Sequence, residues 1–309
     1  MLKRVRTLLE MIRFSHTLFA LPFALLSTAL AWQGRWLDLA GILLCMAFAR
    51  SAAMAFNRLA DRHLDAANPR TAGRHLPSGQ VSAAGAWLFT AACSAGFVAS
   101  TLIFWLSSGN RWPLYLSVPV LLFACAYSFT KRFTALSHFW LGASLLLAPV
   151  AAWIAIRGLH DLTEPVVLGL AVLFWVAGFD IIYACQDVDF DRSADLFSVP
   201  ARLGVRAALR IALACHVVMI GLLVALWRVS PALGAIYLAG VAAVALLIAY
   251  EHWLVRPDDL SRVNRAFFQV NGVVSVGLLL VVLLQLAVND DRQRNPPTPA
   301  GPPGSVGGP

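Results

Sequence analysis

The stretch PVVLGLAVLFWVAGFDIIYACQDVDFD, residues 165–191, decides the architecture. From Pro165 to Cys185 it carries one charged side chain, Asp180, in a run long enough to cross a hydrocarbon core of about 30 Å as a helix. A helix at the surface of a soluble domain would show a polar face every 3.6 residues, and this run shows none. At Gln186 the texture changes abruptly, and Asp187, Asp189 and Asp191 follow within five positions. The segment reads as a membrane helix whose one end is rimmed with carboxylates.

The same texture recurs outward in both directions. Of 309 residues, 59% are hydrophobic and 13% charged, about half the charge of an ordinary soluble domain. Apolar runs fall at approximately 16–32, 39–56, 84–106, 113–129, 136–156, 165–185, 211–227, 232–250 and 266–288, each close to the length that spans a bilayer. The expected fold is an all-α integral membrane bundle of nine transmembrane helices. It occupies residues 1–288 as one domain, followed by a disordered Pro/Gly-rich tail over 289–309. The first run continues without a small-residue cleavage site and reads as a helix, not a removable leader.

Alternate connections differ in charge. Most of the 24 Lys and Arg residues, among them Arg58, Arg70, Arg74, Lys131 and Arg202, fall on one face, which short cytoplasmic loops require. The expected location is therefore a cell inner membrane, crossed many times, with the basic face cytoplasmic. The net charge of +8 is scattered through short loops and not gathered on a soluble module, so nucleic acid is excluded as a partner. No protein partner is implied. Cys45, Cys93, Cys125, Cys185 and Cys215 have neither CxxC nor disulfide-framework spacing and read as packing residues. His216 reads as a packed histidine. Zinc, nucleotide and serine-hydrolase motifs are lacking.

Acidic residues crowd two helix ends. In Asn57-Arg58-Leu59-Ala60-Asp61-Arg62-His63-Leu64-Asp65 the polar positions 57, 61 and 65 recur at i, i+4 and i+8, which stacks them on one helical face. Arg50, seven residues earlier, projects from roughly that face deeper in the membrane. Asp187 and Asp191 repeat the i, i+4 spacing with Asp180 again seven residues earlier, a hint of internal duplication. Such crowding is unfavourable without cations, and paired carboxylates suit Mg²⁺ completed by phosphate oxygens. Arg58, Arg70, Arg74, Lys131 and Arg202 lie on the same side to neutralise the remaining oxygens.

These motifs resemble the UbiA superfamily of membrane prenyltransferases, from about residue 10 to 288. The resemblance rests on Asn57, Asp61 and Asp65, on the Arg70-Thr71-x-x-Arg74-x-Leu76-Pro77-Ser78-Gly79 loop, on Tyr127-Ser128-Phe129-Thr130-Lys131-Arg132, and on Asp187 with Asp191. Within the superfamily, residues 180–187 and 198–204 look most like the 4-hydroxybenzoate polyprenyltransferases and their relative on the futalosine route to menaquinone. The resemblance implies Mg²⁺-dependent transfer of a polyprenyl group from polyprenyl diphosphate to the ring of an aromatic acid in quinone (ubiquinone or menaquinone) biosynthesis. The acceptor is 4-hydroxybenzoate or, alternatively, 1,4-dihydroxy-6-naphthoate. Asn57, Asp61, Asp65, Asp187 and Asp191 are the implied metal ligands, and Tyr127 and Lys131 are implied site residues; by its position seven residues before Asn57, Arg50 is the candidate to bind the acceptor carboxylate, and Asp180 the candidate to orient or deprotonate the acceptor. A cation-coupled transporter is the non-enzymatic alternative, disfavoured because transport sites lie near the midplane.

Overall fold

A computed structural model describes residues 7–8, 10–12 and 19–294. Its helices in chain order are α1 (Leu21–Ala31), α2 (Trp36–Ala60), α3 (Arg62–Ala67), α4 (Ala83–Ser108), α5 (Trp112–Thr130), α6 (Ser137–Arg157) and α7 (Thr163–Ala184). There follow α8 (Val188–Ser193), α9 (Val199–Leu203), α10 (Val205–Val229), α11 (Ala235–Leu254) and α12 (Asn271–Arg294). A 3₁₀ turn, Cys185–Asp187, joins α7 to α8, and a π-helical turn, Ala266–Val270, leads into α12. No strand occurs among the described residues.

Eight of these helices are long and apolar enough to cross a membrane. The ninth expected crossing is represented by α1, 11 residues long, preceded by residues 13–18, which lie outside the described residues. At about 1.5 Å per residue the described part of α1 is too short to span the bilayer alone. At the other end, α12 runs to Arg294, so residues 289–294 of the expected tail are helical. Asn289 Nδ2 donates to the Ala232 carbonyl at 2.8 Å, and Arg294 pairs with Asp290 one turn away. Residues 295–309 are not among those described.

Helix ends are set by local chemistry. Ser82 Oγ accepts from the Gly85 amide at 3.1 Å to open α4, and Gly109 closes it in the left-handed region at φ 72, where a side chain would be strained. Pro113 stands in the first turn of α5, where its missing N–H costs nothing.

Without a hydrophobic force between lipid-bathed helices, small residues let backbones approach. A methyl at Gly142 of α6 would meet the Leu173 carbonyl of α7 at 2.4 Å. One at Gly178 of α7 would meet the His216 ring of α10 at 2.4 Å. The main buried cluster joins α1, α7, α10, α11 and α12 around Trp175, Leu226 and Tyr237. Within it Asn271 ties three helices together: it accepts from Trp175 Nε1 at 2.7 Å, donates to Glu251 Oε1 at 2.9 Å, and reaches the Ala266 carbonyl at 3.3 Å.

The outer surface is apolar, as lipid requires: Leu106, Leu88 and Leu246 are among its most exposed side chains. Trp32, Trp36, Trp105 and Trp112 gather at one end of the bundle, and Trp87 and Trp253 at the other, as two interfacial belts would. The basic connections after α2, α5 and α7 share the second end. Arg132 donates to the Ala60 carbonyl there, and Phe197 N to the Lys131 carbonyl at 2.7 Å.

Candidate active site

The basic end opens into a cavity of about 600 Å³, within the range of small-molecule sites. Its floor is apolar, with Ile42, Phe104, Pro113 and Ile154 among the lining residues. Ile42 and Asn57 both line it from α2, so the cavity follows about 22 Å of that helix at its rise of 1.5 Å per residue. Charge is concentrated at the mouth.

Asp61 interrupts the helical dihedrals between α2 and α3, at φ −93 and ψ 4. The expected stacking survives because Asp61 N still bonds Asn57 O at 2.9 Å and Asp65 N bonds Asp61 O at 2.8 Å. Asn57, Asp61 and Asp65 all face the cavity, as do Asp187, Asp191 and, deeper, Arg50 and Asp180. The two acidic clusters are joined by the connection after α3. Arg70 forks onto Asp187, with Nε donating to Oδ1 at 2.8 Å and Nη2 to Oδ2, and Asn68 Nδ2 adds a bond at 3.1 Å. Arg70 also reaches Tyr183 Oη at 3.2 Å. Burial works against the Arg70 charge, but the bond and field of Asp187 outweigh it and hold its pKa above the usual arginine value.

Asp61, Asp65 and Asp191 each have a partner of their own. Lys131 Nζ lies 2.7 Å from Asp61 Oδ2, Arg74 Nη1 lies 2.7 Å from Asp65 Oδ1, and Ser198 Oγ donates to Asp191 Oδ2 at 2.7 Å. Arg58 approaches Asp65 at 3.9 Å. Tyr127 lines the same cavity as Asp61 and Asp180. Arg202 is the exception among the sequence-derived candidates. Its guanidinium caps the Phe197 ring at 3.7 Å and pairs with the exposed Asp195 at 3.3 Å, outside the cavity wall. The short α9 turns it outward, so it does not line this cavity.

Three residues that the sequence reading passed over belong here: Asn68, Tyr183 and His138. His138 stands in the first turn of α6, buried, with Nδ1 2.7 Å from Asp180 Oδ2. A lone histidine opening an apolar run carries no spacing signal. Asn68, just before Pro69, reads as a turn residue, and it does bond the Arg70 amide at 2.9 Å.

Divalent metal fits the donor set. Asp61 Oδ1 and Asp65 Oδ2 are buried acceptors with no hydrogen bond, held only by the looser ion pairs of Arg132 at 3.5 Å and Arg58 at 3.9 Å, so both oxygens keep capacity for a further ligand. Among the described residues no three Asp, Glu, His or Cys side chains converge enough to hold an ion unaided. Mg²⁺ commonly takes one or two carboxylates and completes its shell from phosphate and water, so this donor set is compatible with it.

The profile of the UbiA prenyltransferase family matches residues 20–273. The 4-hydroxybenzoate octaprenyltransferase of Aromatoleum aromaticum is 31% identical over 234 residues, spanning 76% of this chain and 77% of its own length. That of Tolumonas auensis is 33% identical over 240 residues, spanning 77% and 79%. The apo structure of a UbiA homolog from Aeropyrum pernix superposes with a TM-score of 0.78 at 34% identity, covering 89% of this chain and 98% of that one. A UbiA homolog from Archaeoglobus fulgidus, solved with DMAPP and Mg²⁺, shares the fold at a TM-score of 0.69 and 19% identity, covering 91% and 99%. By profile, sequence and fold together, the chain belongs to the UbiA prenyltransferase family, as an aromatic prenyltransferase.

Proposed function

We propose that the protein transfers a polyprenyl group from polyprenyl diphosphate to the ring of 4-hydroxybenzoate, in quinone biosynthesis, with the cavity mouth at the cytoplasmic face of an inner membrane. One observation carries the reading: buried carboxylate oxygens without hydrogen bonds stand among Arg and Lys side chains at the mouth of a long apolar cavity. That combination suits a ligand with a metal-bound anionic head and a hydrocarbon tail. The curated relatives supply the acceptor class.

Arg70, Arg74, Lys131 and Arg58 bind the diphosphate, exchanging carboxylate partners for phosphate oxygens. Asn57, Asp61, Asp65, Asp187 and Asp191 would hold Mg²⁺, which when bound offsets negative charge growing on the leaving group. The apolar walls take the tail and keep water from the allylic cation left when the C–O bond breaks with both electrons on oxygen. Arg50 lies seven residues below Asn57, with Nε buried and unbonded, and among the described residues no carboxylate pairs with it. It binds the acceptor carboxylate. Tyr127 and Asp180 face the acceptor's hydroxyl-bearing side.

The test is prenyl transfer in membranes carrying the protein, with polyprenyl diphosphate and either 4-hydroxybenzoate or 1,4-dihydroxy-6-naphthoate. We expect product that needs Mg²⁺, disappears with EDTA, and falls by at least about 100-fold in Asp61→Ala and Asp187→Ala, the scale on which aimed charge acts in catalysis. Product from the naphthoate alone would move the acceptor assignment to the menaquinone route. No product from either, with folded protein, would sink the reading.

A further inference from the structure

The carboxylates at the mouth and the one below it have different partners. Asp61, Asp65 and Asp187 each face a Lys or Arg. Asp180, seven residues below Asp187 on α7 and so about 10 Å deeper along the helix, has no Lys or Arg within ion-pair distance among the described residues. Its partner is His138.

The state of that histidine follows from its other contact. The Val199 backbone N–H points at His138 Nε2 at 3.3 Å, and a backbone N–H can only donate. Nε2 is therefore an acceptor, the single ring proton sits on Nδ1, and Nδ1–H donates to Asp180 Oδ2. A neutral imidazole thus fixes the carboxylate by one oxygen without the neutralising charge a lysine would bring. Arg50 lies at a comparable depth, seven residues below Asn57, on the same cavity. Under the proposed function the acceptor lies in this shared cavity, with Arg50 and Asp180 both on its wall.

We infer that His138 is a positioning residue for prenyl transfer: in its Nδ1–H tautomer, locked by the Val199 amide, it aims Asp180 to take the proton lost when the acceptor ring is alkylated. This rests on the reading of the site given above. In that step a ring π pair forms the bond to the allylic carbon. The C–H bond at the attacked carbon then breaks, its electrons restore the aromatic ring, and the proton passes to the Asp180 carboxylate. Val199 opens α9, whose Ser198 also bonds Asp191, so the same short element braces the base and one mouth carboxylate.

The experiment compares wild type with His138→Phe, which keeps a ring and loses both bonds, His138→Gln, which offers a donor and an acceptor, and Asp180→Asn. Acceptor deuterated at the attacked position reports on C–H cleavage. We expect His138→Phe to lower kcat by about 10- to 100-fold, a part of what a general base supplies, with donor KM within about twofold and a raised isotope effect. His138→Gln recovers most of the rate. Adding His138→Phe to Asp180→Asn costs little more, because the two act as a unit. Wild-type turnover with His138→Phe at the wild-type rate, or slowed with an unchanged isotope effect and a raised donor KM, overturns the inference alone. So does an Asp180→Asn enzyme of full activity, which decides the matter even where the phenylalanine variant does not fold. Failure of the wild type to transfer at all overturns both the inference and the function beneath it.

Discussion

At the scale of single residues, Arg50 makes the sharpest prediction. A guanidinium inside the membrane with an unbonded Nε is costly unless an anion meets it, and under the proposed function that anion is the acceptor carboxylate. Arg50→Gln is expected to raise the acceptor KM by about 10- to 100-fold, as loss of one charged hydrogen bond does, with the donor KM unmoved. Steady-state kinetics in both substrates check it, and an equal rise in both would remove Arg50 from the acceptor. That Arg50 and the aspartates share one cavity was legible in the sequence because ionised groups in an apolar chain have few explanations. The position of Arg202 was not legible for a physical reason: a cation in a short connection looks the same whether its side chain points inward or, as here, over Phe197 and out to Asp195. His138 was invisible because its meaning comes from Asp180, 42 positions away.

Among the elements, the π turn before α12 depends most on a single side chain. Asn271 reaches back five residues to the Ala266 carbonyl while binding Trp175 and Glu251, and the turn presents Phe267 to the cavity against Tyr183, ring centroids 4.3 Å apart. Asn271→Leu leaves the Trp175 indole N–H and the Glu251 carboxyl without their bonds, a loss of about 2–4 kcal/mol. A thermal melt of detergent-solubilised protein should show a clearly lower midpoint, whereas an unchanged one would mean that water or neighbouring groups replace Asn271. Helix positions were readable from apolar runs alone, since length and hydropathy determine a span. The π turn was not, because a turn with one extra residue per cycle leaves no hydropathy signature. The continuation of α12 to Arg294 was hidden in the same way: its last turns are polar, and the contact of Asn289 with Ala232 holds them.

Taken whole, the molecule is uneven. α7 buries side chains along its length, against α6 on one side and α10 on the other. α5 buries only Ser117, Ser128 and Thr130, because one flank faces lipid and the other faces the cavity. The sequence could not show this asymmetry, since both helices are apolar throughout and differ only in what stands beside them. Its consequence lies in how the protein yields and stiffens. The side built on α5 has lipid or empty space where the opposite side has side chains, so it opens first, and hydrogen exchange should be faster in α5 than in α7. A polyprenyl diphosphate analogue filling the cavity should slow exchange in α5 and leave α7 as it was; equal protection in both helices before ligand would contradict this. Under the proposed function the substrate tail acts as a temporary piece of the protein's own interior, and each turnover removes and replaces part of the core.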